Sequence, residues 1–388
     1  MKTGLVCWGL MCGLSVSAFG QLTNVQAEAN SLRLEWKCIP GNPYYVFSTP
    51  DLMEPAWSNR MPDCVVFADA QGSSLFSMDE PTTFYCVAAS NDYLVVDLSD
   101  GPDATNYPVS HLSYMPPGGW VDEYKTTKLV LRRIPGGNFT MGSPTNELGR
   151  DSDEPQHTVT LTQDYYIGVF EVTQKQWERV MGNWPSNFTN TTCRDSRPVE
   201  KVSYNDIRGT IAGTNWPADG NVDTNSFMGR MRTKTGQSFD LPTEAQWERA
   251  CRAGTTSALY SGYELTTTSN DMHVAELGRY AFNGGNEGYV PRDVDASEGS
   301  AKAGSYLPNA WGVYDLYGNA WECCLDWMES DPSEVLDPKG ATRGTSRVMR
   351  GGCWGGYAGG CRSAMRGNID PGIRSKFYGF RICLPPGP

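Results

Sequence analysis

Arg347-Val-Met-Arg-Gly-Gly-Cys-Trp-Gly-Gly-Tyr-Ala-Gly-Gly-Cys-Arg-Ser-Ala-Met-Arg366 runs on toward Tyr378-Gly-Phe-Arg-Ile-Cys383 near the end of the chain. A frame of Gly, Arg, Ser and Ala is interrupted at close intervals by residues of unrelated chemistry. That is how a fixed scaffold carrying a specialised surface reads.

Upstream, Leu129-Val-Leu-Arg-Arg-Ile-Pro-Gly-Gly-Asn-Phe-Thr-Met-Gly-Ser143 predicts a strand pair around a Pro-Gly-Gly turn. Thr173-Gln-Lys-Gln176 and Thr243-Glu-Ala-Gln246 carry the capping-box pattern. In that pattern the Thr hydroxyl accepts from an early backbone N–H and the Gln reaches back. The first helix places Trp177, Val180 and Met181 on one face and ends near Gly182; the second places Trp247, Ala250 and Cys251 on one face and ends near Gly254. Residues 255–310 are rich in Gly, Ser, Thr and Asn with little periodicity, so they read as long loops that carry function or a metal that orders them.

Toward the N-terminus, residues 23–91 alternate with period two in Leu32-Arg-Leu-Glu-Trp-Lys37, Tyr44-Tyr-Val-Phe47 and Thr83-Phe-Tyr-Cys-Val-Ala88. Turn signals separate these runs, so the segment predicts a small all-β domain resembling the fibronectin type III sandwich. Its Cys38, Cys64 and Cys86 suit one bridge and one remaining thiol. Gly101-Pro-Asp-Ala and Pro116-Pro-Gly-Gly mark residues 92–128 as linker and lead-in, and residues 129–388 form the main domain. Residues 1–20 have one Lys, a short apolar run and small residues near Ala18–Gly20, the layout of a secretory signal peptide. The chain is therefore expected to be exported to a periplasmic, cell-surface or extracellular address. No later stretch approaches a membrane span.

A net charge of −12 argues against a nucleic-acid backbone as partner, because phosphate contacts need clustered Lys and Arg. Twelve cysteines less Cys7 and Cys12 of the leader leave ten, which in an exported chain suggests disulfides. There is no C-x-x-C pair, and His111, His157 and His273 are not spaced as ligands, which argues against zinc.

Seven motifs then fall in one order: Ile134-Pro-Gly-Gly-Asn-Phe-Thr-Met-Gly-Ser143, Val169-Phe-Glu-Val-Thr-Gln174, Pro198-Val-Glu-Lys-Val-Ser203, Leu241-Pro-Thr-Glu-Ala-Gln-Trp-Glu248, Asp315-Leu-Tyr-Gly-Asn-Ala-Trp-Glu322, Arg350-Gly-Gly352 and Gly379-Phe-Arg381. This series resembles the sulfatase-modifying-factor, or formylglycine-generating enzyme, family. The resemblance implies an α+β, C-type-lectin-like fold with little regular secondary structure. Its enzyme members bind copper through two cysteines and, with O2, oxidise a sulfatase cysteine to formylglycine; relatives of different chemistry use a histidine-rich iron site.

The sequence departs from both patterns. The stretch that holds the copper cysteines in the family reads Trp354-Gly-Gly-Tyr-Ala-Gly-Gly360 and has none, while Cys353 stands where the enzyme has an active-site serine. A Cu(I) site needs two convergent thiolates. The resemblance further implies a disulfide between Cys251 and Cys361, and a calcium site at Asp315, Gly318, Ala320 and Glu322, an oxygen set that suits Ca2+. A second family calcium site falls near residues 280–297. Cys323-Cys324 leaves two pairings open, a vicinal disulfide or Cys324 with Cys383.

Three readings of the C-terminus follow. One is a copper oxidase with relocated ligands, Cys353 with Cys361 or with Cys323 or Cys324. Another keeps the fold for stability alone and leaves biological contact to the β domain. The favoured reading is a module binding a protein or glycan ligand through a face made by Cys353, Gly355, Gly356, Tyr357, Met365, Ile369, Ile373, Phe377 and Tyr378, with aromatic and apolar residues of the kind recognition faces use. The segment also resembles the variable proteins of diversity-generating retroelements, whose Asn-rich template is rewritten at adenines. Gly, Tyr, Ile, Ser and Phe all arise from an AAC codon by changing only adenines; Met349, Met365 and Lys376 do not.

Overall fold

The computed structural model describes residues 93–385 apart from 114, 117, 285–298 and 329–334, together with the backbone of seven strands between Leu22 and Ala89. The expected leader, the pairing of Cys38, Cys64 and Cys86, and most of the second calcium segment lie outside the described residues. The chain divides into two compact units, Met1–Asp92 with Leu112–Val121, and Tyr93–His111 with Asp122–Pro388.

In the first unit, β1 (Leu22–Glu28), β2 (Ser31–Lys37), β3 (Pro43–Thr49), β4 (Ser58–Asn59), β5 (Val65–Val66), β6 (Gln71–Ser77) and β7 (Phe84–Ala89) form two antiparallel sheets. One has the order β1-β2-β6; in the other β3 pairs with β4, β5 and β7. The three alternating runs of the sequence fall on β2, β3 and β7.

The second unit starts earlier than its Gly and Pro signals suggested. β8 (Tyr93–Asp97) and β9 (Val109–Leu112) come from the stretch expected as linker. They join β10 (Lys128–Ile134), β13 (Tyr165–Gly168) and β18 (Cys383–Leu384) in a sheet of order β18-β13-β10-β8-β9. Tyr93-Leu-Val-Val96 is buried throughout, as is Leu129-Val-Leu131, because both faces of these central strands are covered. The Pro-Gly-Gly turn joins β10 to β11 (Gly137–Met141), which pairs with β12 (His157–Leu161).

Among the described residues of the second unit, five short helices follow: α1 (Gln174–Met181), α2 (Tyr204–Arg208), α3 (Phe227–Thr235), α4 (Glu244–Arg252) and α5 (Met272–Leu277). α1 and α4 carry the expected capping boxes at Thr173 and Thr243. Gly182 closes α1 in the left-handed region, whereas α4 is closed by Ala253, one residue before the expected glycine.

The remaining sheet, of order β16-β15-β14-β17, is built from β14 (Trp321–Trp327), β15 (Arg347–Arg350), β16 (Arg366–Ile369) and β17 (Tyr378–Gly379). Successive side chains of a strand face opposite ways, so this sheet serves two cores. Cys323, Leu325 and Met349 enter one with Trp177, Phe227 and Phe380; Cys324 and Val348 enter the other with Trp247, Cys251 and Tyr317. Cys323 and Cys324 are therefore on different faces, and both are free thiols, as is Cys383, whose Sγ faces Gln246 Oε1 at 3.7 Å.

Candidate functional site

The arginines of the C-terminal frame all point inward. Arg350 is bonded to Glu248, Arg366 Nε to Glu244 Oε1 at 2.7 Å, and Arg381 to Glu322. Arg362 reaches Glu154 and Glu147 in the loop between β11 and β12. Glu244 and Glu248 stand one turn apart on α4, so the capping box that starts this helix also aims two carboxylates at the segment. For each arginine, burial opposes the charge and the partnering carboxylates outweigh it where a shift is resolved, holding Arg362, Arg366 and Arg381 above the ordinary range. Glu154 shows the converse: burial raises it, yet the bond and charge of Arg362 hold it below the usual carboxylate range.

Between these anchors the fillers separate. Tyr357 is 50 % and Ile373 is 51 % exposed. Gly355, Gly356, Met365, Phe377 and Tyr378 are half-buried. Phe377 stacks on Trp354 with ring centroids 4.9 Å apart, and Trp354 in turn meets Phe188 edge-on at 5.4 Å. A Cβ on Gly355 would sit 2.7 Å from Phe377 Cε1, so glycine there is what lets the ring lie flat. Lys376 Nζ lies over Trp354, 4.9 Å from its centroid. Tyr357 packs on Phe282 at 5.8 Å.

Two expected face residues belong elsewhere. Ile369 is buried at the end of β16, opposite Arg347, where strand alternation turns it into the first core. Tyr378 packs against that same core from β17. Phe188 and Phe282 were not anticipated, since each lies in a loop without periodicity and is placed only by tertiary contact.

Cys353 is buried, and burial pushes its thiol up to about 11 despite hydrogen bonds from the Gly355 and Gly356 backbone. The expected Cys251–Cys361 disulfide is not formed; both are free thiols. Cys251 Sγ faces Ser363 Oγ at 3.7 Å, and the Cys361 thiol is raised first by burial and then by its neighbour Cys353. Burial thus holds both Cys353 and Cys361 above the ordinary thiol value.

Beneath the face lies a buried acidic cluster. Asp315 Oδ2 accepts from Gly304 N at 2.6 Å, while Oδ1 has no hydrogen-bond partner among the described residues. Glu171 accepts from Ala320 N at 2.9 Å and from Asn319. Burial, then the charges of Asp315 and Glu322, push Glu171 well above its ordinary value. Burial likewise moves Asp315 up to about 6. Glu322 is occupied by Trp247 Nε1 at 2.6 Å and by Arg381. The turn carrying Gly318 and Ala320 supports the face directly: Gly318 N donates to Gly351 O at 2.7 Å, Trp354 N to Asn319 O at 2.9 Å and Trp321 N to Phe377 O at 2.8 Å.

Comparison with known proteins agrees with this architecture. The family model described as "Sulfatase-modifying factor enzyme 1-like domain" matches residues 122–384. The chain is 27% identical to the formylglycine-generating enzyme of Mus musculus, covering 66% of this chain and 75% of that one. It is 31% identical to the enzyme of that name from Thermomonospora curvata, covering 51% of this chain and 59% of that one. Among solved structures it is similar to Treponema denticola variable protein 1, with a TM-score of 0.51 and 26% identity over 67% of this chain and 96% of that one. It shares the fold of PvdO from Pseudomonas aeruginosa, with a TM-score of 0.51 and 24% identity over 66% of this chain and 93% of that one.

Proposed function

The chain belongs to the sulfatase-modifying factor family, and on that premise we propose that it is an exported ligand-binding member, not a copper-dependent formylglycine-generating oxidase. Its ligand, a protein or glycan, docks on the face formed by Gly355, Gly356, Tyr357, Ile373 and Phe377, backed by Trp354. The observation that carries this reading is the division within one segment. Arg350, Arg362 and Arg381 are fully buried in ion pairs, while Tyr357 and Ile373 from the same stretch stand half exposed. A segment so anchored tolerates exchange of its fillers without loss of the fold.

The likeness to a solved variable protein supports the same reading, and with it diversification of the fillers. The stretch Trp354–Gly360 supplies no cysteine and Cys353 itself is buried, which speaks against the oxidase. Calcium is proposed as a structural ion at Asp315, with the carbonyls of Gly318 and Ala320 and the neighbouring carboxylate Glu171. Three buried carboxylates, Glu171, Asp315 and Glu322, face Arg381, with Lys125 also near Asp315, and an orphaned carboxylate oxygen is the donor Ca2+ prefers. Glu322 contributes charge more than ligation, because Arg381 already holds both its oxygens. The N-terminal β unit, of fibronectin III kind, serves as spacer.

The test has three arms. Cu(I) titration of the mature protein against a chelator, followed by incubation with a cysteine peptide from a sulfatase, should give neither tight copper binding nor formylglycine; formation of formylglycine would overturn the reading. A glycan array and a displayed peptide library probed with the wild type should yield binders lost in Tyr357→Ala. In the encoding DNA, a near-repeat of the 3′ end differing mainly at adenines beside a reverse transcriptase gene would establish diversification.

A further inference from the structure

A cleft of about 450 Å3 opens in the second unit, and none of its lining residues falls between Arg347 and Leu384. Its buried floor includes Asp240, Leu241, Thr243 and Leu325, and its exposed rim includes Thr162, Gln163, Ser238 and Lys339. Trp216 closes one side.

The cleft is built and held by its own hydrogen bonds. Trp216 Nε1 donates to Lys339 O at 3.1 Å, which commits the polar edge of the indole; the half-buried ring packs against the first core and lines the cleft with the rest of its surface. Asp337 accepts from Thr162 N at 2.8 Å and from Thr162 Oγ1 at 2.6 Å, tying the loop before β13 to the segment around Lys339.

The charges on its floor and beside it are similarly committed. Asp240 receives Arg208 Nε at 2.7 Å and Arg232 Nη2 at 2.7 Å. Arg232 spends its remaining nitrogens on Phe239 O and Gly220 O, both at 2.7 Å. Neither group is left to neutralise an ionic ligand. The Gln163 amide, the Ser238 hydroxyl and the Nε2 of Gln246 make no hydrogen bond among the described residues, so they are the uncharged polar groups the cleft presents, with Asp337 and Lys339 at its exposed rim.

A preformed pocket of this size, with an aromatic ring, a few uncharged hydrogen-bonding groups and no unspent charge on its floor, has a definite complement. It is a neutral ligand with an apolar face for the ring and hydroxyls for the amides. We propose that this cleft is a saccharide-binding subsite for a neutral mono- or disaccharide, independent of the C-terminal face. Stacking of sugar C–H groups on Trp216 supplies the apolar contact, and Gln163, Gln246 and Ser238 read the hydroxyls.

Saturation-transfer NMR of the full chain with maltose, cellobiose, lactose and chitobiose tests this. At least one should show saturable transfer, weakened at least tenfold by Trp216→Ala and by Ser238→Trp, which fills the cleft from its exposed rim and leaves the floor untouched. Tyr357→Ala should leave it unchanged. Absence of transfer with all four sugars would overturn the proposal, as would transfer that survives Ser238→Trp or that disappears with Tyr357→Ala.

Discussion

Arg362 donates to both oxygens of Glu154, from Nη1 to Oε2 at 2.8 Å and from Nη2 to Oε1 at 2.7 Å, and neither side chain is exposed. The pair joins the Cys361-Arg-Ser-Ala364 frame to a loop more than two hundred positions earlier. Removing one partner from such a pair strands a buried charge, at a cost of about 3–5 kcal/mol. Glu154→Gln should therefore lower the thermal midpoint of the second unit sharply, while Asp151→Asn, on an exposed neighbour, should leave it near the wild type. Calorimetry of both variants checks this. Because Glu154 titrates below its unfolded value, its contribution is present at neutral pH and is lost as the pH falls through its folded value, so Glu154→Gln should converge toward wild type in acid.

Tyr357 and Phe377 separate binding from stability. Tyr357→Ala removes a half-exposed ring and should change stability by no more than about 0.5 kcal/mol. Phe377→Ala loses the stack on Trp354 and should cost at least about 1 kcal/mol. Gly355→Ala places a methyl against the Phe377 ring and should weaken ligand binding with little change in surface chemistry. Denaturation midpoints and binding curves for the three variants test the separation; equal stability losses from Tyr357→Ala and Phe377→Ala would refute it.

Much of this arrangement was legible in the sequence because it rests on local chemistry. The capping boxes at Thr173 and Thr243 fix two helices, and the motifs containing Arg350 and Arg381 mark the inward anchors. What was illegible depends on tertiary placement. Ile369 reads as a filler in an exposed segment, yet strand register turns it inward. Tyr93-Leu-Val-Val96 was hidden by the Gly and Pro signals that follow it. Phe188, Phe282 and Glu171 enter the site from separate loops, and the cleft beside Trp216 draws on segments scattered from Leu161 to Pro385.

Asp326 gives a pH-dependent prediction in the core. It is buried beside Glu244, and burial first, then that charge, raises it to about 8. A carboxyl whose folded value is raised stabilises fully below its unfolded value, and that stability is lost as the pH rises through the folded value. The native carboxyl is thus largely protonated at pH 7 while the unfolded one is ionised, so its stability is lost progressively from the unfolded value up to about 8. Asp326→Asn keeps an acceptor for the Glu244 N–H, now 2.8 Å from Oδ2. Relative to wild type, this variant should gain stability between pH 4 and 8, by at most about 1.4 kcal/mol per pH unit. Urea midpoints at pH 4, 6 and 8 measure it, and a gain that is flat with pH would count against the assigned titration.

Calcium binding should act through Asp315 and reach the face above it. Another acidic group, Asp151, Asp153 and Glu154, brings its oxygens together as well, but Glu154 is spent on Arg362 and Ser143. Saturating calcium should raise the thermal midpoint over that in chelator, by an amount set by its occupancy of the folded state. Asp315→Asn should abolish the rise, and Asp151→Asn with Asp153→Asn should preserve it; the reverse pattern would move the ion to the other cluster. Gly318 and Asn319 hold Gly351 and Trp354 through backbone hydrogen bonds, so loosening their turn loosens the platform under Phe377. Chelation should accordingly weaken ligand binding at the C-terminal face even where the protein stays folded, and Asp315→Asn should show that weaker binding with or without calcium.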